Sequence, residues 1–242
     1  MKFYLTFTCC FFWGISFCGQ TLAQTADSAA LKPLLYARSL YEEAIGDESH
    51  LYNGPQYINY DKYYLTGHQF FRTDDPSSSG ILYDGVWYTQ VPMLYDIVLD
   101  KIVLEHPTSE FMLSLVNEKV KYFNFLDHTF IRLEKDSLAA LKTGFYDLLH
   151  DGQIQFLAKR TKNIQEQPTP YGMEGRFEQQ TKYYIRKENT YYQVKDKRSV
   201  LNVLADKKKE LQRHAREQKL QFRKDREKAI LELTQFYDRP AA

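Results

Sequence analysis

The chain has 242 residues, with 32 Lys and Arg against 31 Asp and Glu, 19 Tyr, 16 Phe and only 3 Cys. So balanced a charge offers no general attraction for nucleic acid. All three cysteines, Cys9, Cys10 and Cys18, lie in the first eighteen residues, so the rest of the chain has no disulfide, thiolate metal site or cysteine nucleophile.

Lys2, the apolar stretch Phe3 to Cys18 and the small-residue exit Thr21-Leu22-Ala23 predict a signal peptide over 1–23, cleaved after Ala23. The stretch is interrupted by Thr6, Thr8, Gly14 and Ser16, and is short of the roughly 20 apolar residues of a membrane span. Lipidation of Cys18 is the alternative, and bulky Phe17 before it argues against that. Cleavage leaves about 220 residues, enough for one large domain or two small ones. Lys2 is the one charge in the leader, so the remainder has a net charge of zero.

Residues 27–46 read as a short helix or strand. Asn53-Gly54-Pro55 marks a turn, and the aromatic run after it, with Tyr63, Leu65, His68 and Phe70, is strand-like. A loop spans Thr73 to Gly80. Asp84-Gly85, between Ile81-Leu82-Tyr83 and Val86-Trp87-Tyr88, is the strongest local signal and predicts a tight hairpin. Val91 to Leu104 reads as two strands split by a turn between Asp96 and Lys101. A turn at His106 to Ser109, strands near 111–117, 120–125 and 129–133, and a hairpin centred on His150-Asp151-Gly152 follow. Residues 159–178, with Pro168, Pro170, Gly172 and Gly175, read as a long loop or insertion. Thr181–Arg186 and Thr190–Val194 flank Lys187-Glu188-Asn189 as another hairpin.

The predicted fold class is mainly β: a curved antiparallel sheet, as an open barrel or sandwich, over 24–198, with a C-terminal helical tail over 199–242. Ser199 is the expected cap of the tail. Ala229, Ile230, Leu233, Phe236 and Tyr237 recur at helical spacing, and Pro240 ends the pattern. Two helices are expected, packed on the sheet or on each other.

The familiar catalytic motifs are missing. No phosphate loop, zinc helix, nucleophile elbow or calcium loop is present. No cofactor is implied, and no two histidines share a metal-ligand spacing. Asp127-His128 and His150-Asp151 are the nearest approach to catalytic pairs, with Ser109, Ser114 and Ser137 as hydroxyls. Neighbouring residues of a strand point to opposite faces, which weakens both pairs. The adjacent tyrosines Tyr63-Tyr64, Tyr183-Tyr184 and Tyr191-Tyr192 are candidates for a binding surface, because one ring of each pair faces outward from a strand. The tail's Lys207-Lys208-Lys209 and following arginines suit phosphate or anionic lipid, so peripheral membrane association stays open. The interleaved Glu210, Glu217, Asp225, Glu227 and Glu232 favour a solvated face instead. A transmembrane barrel fits poorly, since lysines and arginines interrupt the strands.

The segment Gly80-Ile-Leu-Tyr-Asp-Gly-Val-Trp-Tyr, the later Val91-Pro-Met-Leu-Tyr-Asp, and the tail pieces Asp206-Lys-Lys-Lys-Glu-Leu and Phe222-Arg-Lys-Asp-Arg-Glu resemble uncharacterised exported, β-rich envelope proteins of Bacteroidota. The resemblance implies a periplasmic or extracellular setting, or one at the outer membrane. It transfers no activity. The expected function is noncatalytic binding of an envelope protein or an apolar ligand. A secreted hydrolase acting on an envelope substrate and a structural subunit of an outer-membrane or secretion assembly are the alternatives.

Overall fold

A computed structural model describes residues 36, 50–135 and 141–239. The signal peptide, the opening element apart from Tyr36, Ser137 and Pro240 lie outside the described residues.

Twelve strands form one sheet. They are β1 (Gln56–Tyr57), β2 (Leu65–Thr66), β3 (Ser77–Tyr83), β4 (Val86–Asp96), β5 (Lys101–Glu105), β6 (Met112–Ser114), β7 (Val120–Phe125), β8 (His128–Leu133), β9 (Gly144–Asp151), β10 (Gln155–Thr169), β11 (Gly172–Lys187) and β12 (Thr190–Val194). The order is β1-β6-β5-β4-β3-β7-β8-β9-β10-β11-β12, open at both ends, with β2 added to the outer edge of β11. Every pairing is antiparallel except β2 with β11. The predicted mainly β fold with helices at the C terminus is what the chain adopts.

The hairpins form where the turn residues require them. Asp84 and Gly85 both have positive φ, 50° and 79°, as a two-residue turn matching the strand twist demands. Glu188 and Asn189, at 50° and 62°, make the same kind of turn between β11 and β12.

The sheet curls strongly. β4 and β9 are four strand spacings apart, which would separate them by roughly 19 Å in a flat sheet. The ring centroids of Tyr95 on β4 and Phe145 on β9 are instead 6.0 Å apart. Phe123 and Phe130 fill the space between them, at 5.2 and 4.9 Å from Tyr95. Phe71 packs edge-on to Phe130. The inner face is thus occupied by the protein's own aromatic rings, all essentially inaccessible to solvent.

Residues 159–178 are not a loop. β10 and β11 pair in unbroken register from Gln155 opposite Arg186 to Thr169 opposite Gly172. The prolines misled because proline is compatible with a strand where its missing N–H faces away from the ladder. Lys162 donates its N–H to Ile97, away from β11. Pro168, six residues on, has the same orientation by the two-residue period of a strand.

Three helices follow rather than two: α1 (Lys197–Val203), α2 (Lys208–Glu217) and α3 (Arg226–Asp238). Asp196, not Ser199, caps α1. Its side chain accepts the Ser199 N–H, while the Ser199 hydroxyl accepts the Asp196 N–H. Asp206 sits in a 3-10 turn, Ala205–Lys207, between α1 and α2. The helices share a core with the sheet: Leu201, Leu204, Leu211, Ile230 and Leu233 pack with Ile154, Phe156, Ile185 and Val194. The helical tail is therefore docked on the strands rather than projecting from them.

Candidate functional site

The most exposed regular structure is the outer part of the β10–β11 hairpin. β9 covers β10 only over 155–158, and β12 covers β11 only over 183–187. From the pair Asn163–Glu178 to the pair Thr169–Gly172 the ribbon leaves the sheet, a reach of roughly 20–24 Å at about 3.4 Å per residue. A two-stranded ribbon alone is marginally stable, and here it is braced. β2 pairs in parallel with Gly175 and Arg176, and the Gly175 N–H donates to Tyr64. A Cβ there would lie 2.6 Å from Leu65 Cδ2 and 3.0 Å from the Gln165 carbonyl oxygen, so glycine lets Leu65 pack directly on the ribbon. The Lys62 ammonium and the Tyr64 hydroxyl donate to one oxygen of Glu166, at 2.8 and 2.9 Å. They hold that carboxyl below the usual range.

The arm ends in Pro170-Tyr171, with Tyr171 97% exposed and Met173 beside it also exposed. Tyr63, 100% exposed, meets Tyr64 edge-on at 5.3 Å. A polar cleft of about 480 Å³ lies along the arm, lined by Tyr64, Gln165, Gln167, Glu174, Arg176 and Glu178.

The six tyrosines singled out by sequence do not form one surface. Tyr63 and Tyr64 stand in the turn before β2 rather than in a strand, and flank the arm. Tyr184 is buried, and Tyr191 packs partly buried beside it. Tyr183 donates its hydroxyl to Glu227 of α3, and its phenol is pushed up to about 12 by burial and by that carboxylate. Tyr192 alone of the β11–β12 group is well exposed.

Neither adjacent Asp–His pair forms. His128 Nδ1 lies 2.7 Å from Asp147, and His150 Nε2 lies 2.6 Å from Asp238. Asp147, on β9, is wholly buried and also receives Arg160 of β10, which reaches on to Glu227 at 3.0 Å. Ser114 donates to the Pro55 carbonyl, and Ser109 Oγ is buried without a partner among the described residues. Among the described residues neither His128 nor His150 is hydrogen-bonded to a hydroxyl, so no nucleophile is assembled on either. Both histidines join elements: His128 within the sheet, His150 between sheet and α3.

Two further carboxylates, Asp96 fully buried and Asp100 partly buried, carry no signal in the sequence. Asp96 accepts from the hydroxyls of Tyr57 and Tyr60 and from the N–H groups of Val98 and Leu99. Asp100 accepts from Tyr95, from Lys159 and from the Phe145 N–H. Asp100 ties the β4–β5 turn to β9 and β10 across the curl, and Asp96 ties the end of β4 to Tyr57 of β1 and to Tyr60. No spacing in the chain announces them, because their partners lie up to 59 residues away.

Of the basic run, Lys207 donates to the Tyr237 carbonyl and is structural. Lys197, Arg198, Lys208 and Arg216 line a shallow groove between α1 and α2. Among the described residues no group of three or more His, Cys, Asp or Glu is placed to hold a metal, and no helix is long and apolar enough to cross a membrane. No family model matches the chain, and no curated protein and no solved structure is significantly similar to it.

Proposed function

We propose that this chain is a noncatalytic cell-envelope protein that binds a protein partner through the β10–β11 arm. The single observation carrying this reading is the arm itself: a braced ribbon extending beyond the sheet, ending in the nearly fully exposed Tyr171. Exposed aromatic side chains on a rigid support are what protein interfaces use as anchors. The inner face, filled by Tyr95, Phe123, Phe130 and Phe145, weighs against an apolar ligand carried within the curl. The envelope setting rests on the predicted signal peptide and on the resemblance to exported proteins.

The test places a photo-crosslinking residue at Tyr171, at Tyr63 and, as a control, at Lys224 in intact cells. Discrete adducts at the two arm positions and none at Lys224 are expected. Equal labelling at all three, or no adduct at either arm position, would overturn the arm as the binding element.

A further inference from the structure

We infer that the free edge of β10 pairs with the same edge of a second copy of this chain, antiparallel and two-fold symmetric about Gln165. This rests on the arm being an interaction element and names one of its partners.

The backbone supplies the first argument. The Lys162 N–H points away from β11, and so does the backbone of every second residue after it. Ile164 and Glu166 therefore turn both N–H and C=O to the open edge, and Pro168, with no N–H, ends the run. A two-fold axis at Gln165 sets Ile164 of one copy opposite Glu166 of the other, so each pair exchanges N–H and C=O in both directions.

The side chains agree with that register. Asn163, Gln165 and Gln167 share one face of β10, and all are exposed. The axis places Asn163 opposite Gln167 and Gln165 opposite itself. Each amide carries both donors and acceptors, so each cross-strand pair is self-complementary. Strand edges are ordinarily guarded by charge. Here the Lys162 ammonium is turned to the carbonyls of His68 and Phe70, and Glu166 is held by Lys62. The one proline on the edge lies at its end.

The ladder is bounded at both ends: Pro168 offers no N–H, and the Lys162 N–H already donates to Ile97 of its own chain, so the exchange is confined to Ile164 and Glu166. A ladder this short is below the roughly 1,200–2,000 Å² of a stable interface, so the association is concentration-dependent.

The experiment uses the full chain with Cys9, Cys10 and Cys18 changed to Ser, and adds Gln165→Cys. Directly opposed residues that are not hydrogen-bonded have Cα atoms about 4.5 Å apart, within disulfide reach. Under mild oxidation Gln165→Cys is expected to form a covalent dimer at least about tenfold faster than Gln179→Cys, on the ribbon's other strand, because pairing raises the local thiol concentration. Ile164→Pro removes the outward N–H and a partly buried side chain but no hydrogen bond to β11. It is expected to keep the circular-dichroism spectrum and melting temperature, and to be monomeric in sedimentation at about 100 µM, where the cysteine-free parent shows dimer. Equal linking at positions 165 and 179, a monomeric parent, or a dimer that survives Ile164→Pro would each overturn the second-copy reading. The arm reading would fail separately, through absence of any adduct from Tyr171. An adduct with a different protein there would leave the arm reading intact while the second copy fails.

Discussion

The imidazole of His150, in β9, lies 2.6 Å from the carboxylate of Asp238, the last residue of α3 and 88 positions away. Both side chains are mostly buried. This contact pins the end of the last helix to the sheet beside the hairpin at Gly152, where a Cβ would lie 2.0 Å from Asp238 Oδ2. Asp238→Ala is expected to lower the unfolding free energy by about 1.5–3 kcal/mol, the range for a hydrogen bond to a charged group. Urea unfolding followed by circular dichroism measures it. A change under about 0.5 kcal/mol would mean that α3 is held by its apolar face alone.

Arg160, Asp147 and His128 form a buried cluster in which one Asp147 oxygen takes every contact and the other has no partner among the described residues. Arg160→Met leaves that buried carboxylate with His128 alone and without a fixed positive charge, and is expected to cost about 3–5 kcal/mol. Arg160→Met with Asp147→Leu removes both charges and is expected to cost less than the single change, because a well-packed apolar replacement of a buried pair is often neutral. Equal or greater loss in the double variant would contradict this account.

Alkaline pH should unfold the protein through its tyrosines. Burial, then the Glu227 carboxylate, moves the Tyr183 phenol from 10.0 to about 12. Tyr57, Tyr60, Tyr95, Tyr146, Tyr184 and Tyr237 are also raised, each by burial first. A group whose folded pKa is raised keeps its proton longer in the native state. Its stabilisation is therefore full below pH 10 and is lost as pH rises toward 12. Lys159 and Lys162, lowered by burial, act with the opposite sign over the alkaline range, but they are fewer. Absorbance of tyrosinate near 295 nm should rise cooperatively with loss of circular dichroism above about pH 10. Gradual titration with the fold intact would refute it.

Tyrosine substitutions separate surface from core. Tyr171→Ala and Tyr63→Ala are expected to change stability by no more than about 0.5 kcal/mol while abolishing partner crosslinking. Tyr184→Ala, which empties a buried site against Tyr146, is expected to cost about 3–5 kcal/mol. Thermal melts of the three variants, read beside the crosslink yield, check both halves.

The hairpins were legible because local chemistry wrote them, whereas the order of the strands in the sheet was not. Asp84-Gly85 and Glu188-Asn189 sit where positive φ is required, and alternation around them fixed the facing strands. The arm was misread because Pro168, Pro170 and Gly172 are loop residues by composition, and only the orientation of the Lys162 N–H tells that Pro168 sits on a free edge. Of the candidate surface, the sequence marked the pair Tyr63-Tyr64 without telling which ring is exposed or that both stand in a turn. The separation of Tyr183, Tyr184 and Tyr191 from it was not legible, since Tyr183 turns to the helices while Tyr184 turns to the opposite face against Tyr146, with Tyr191 beside it.

The sequence by itself determined the mainly β class, the principal hairpins and the helical character of the tail, because turn geometry, strand alternation and helical periodicity act between residues near in the chain. Only the tertiary structure decided that the sheet curls onto Tyr95, Phe123, Phe130 and Phe145, that His128 and His150 are oriented by Asp147 and Asp238 rather than by their neighbours, and that residues 163–169 stand out as an open-edged arm. Those features depend on which distant groups meet once apolar surface is buried, and a pairing between residues 19 or 88 positions apart leaves no periodic mark on the chain.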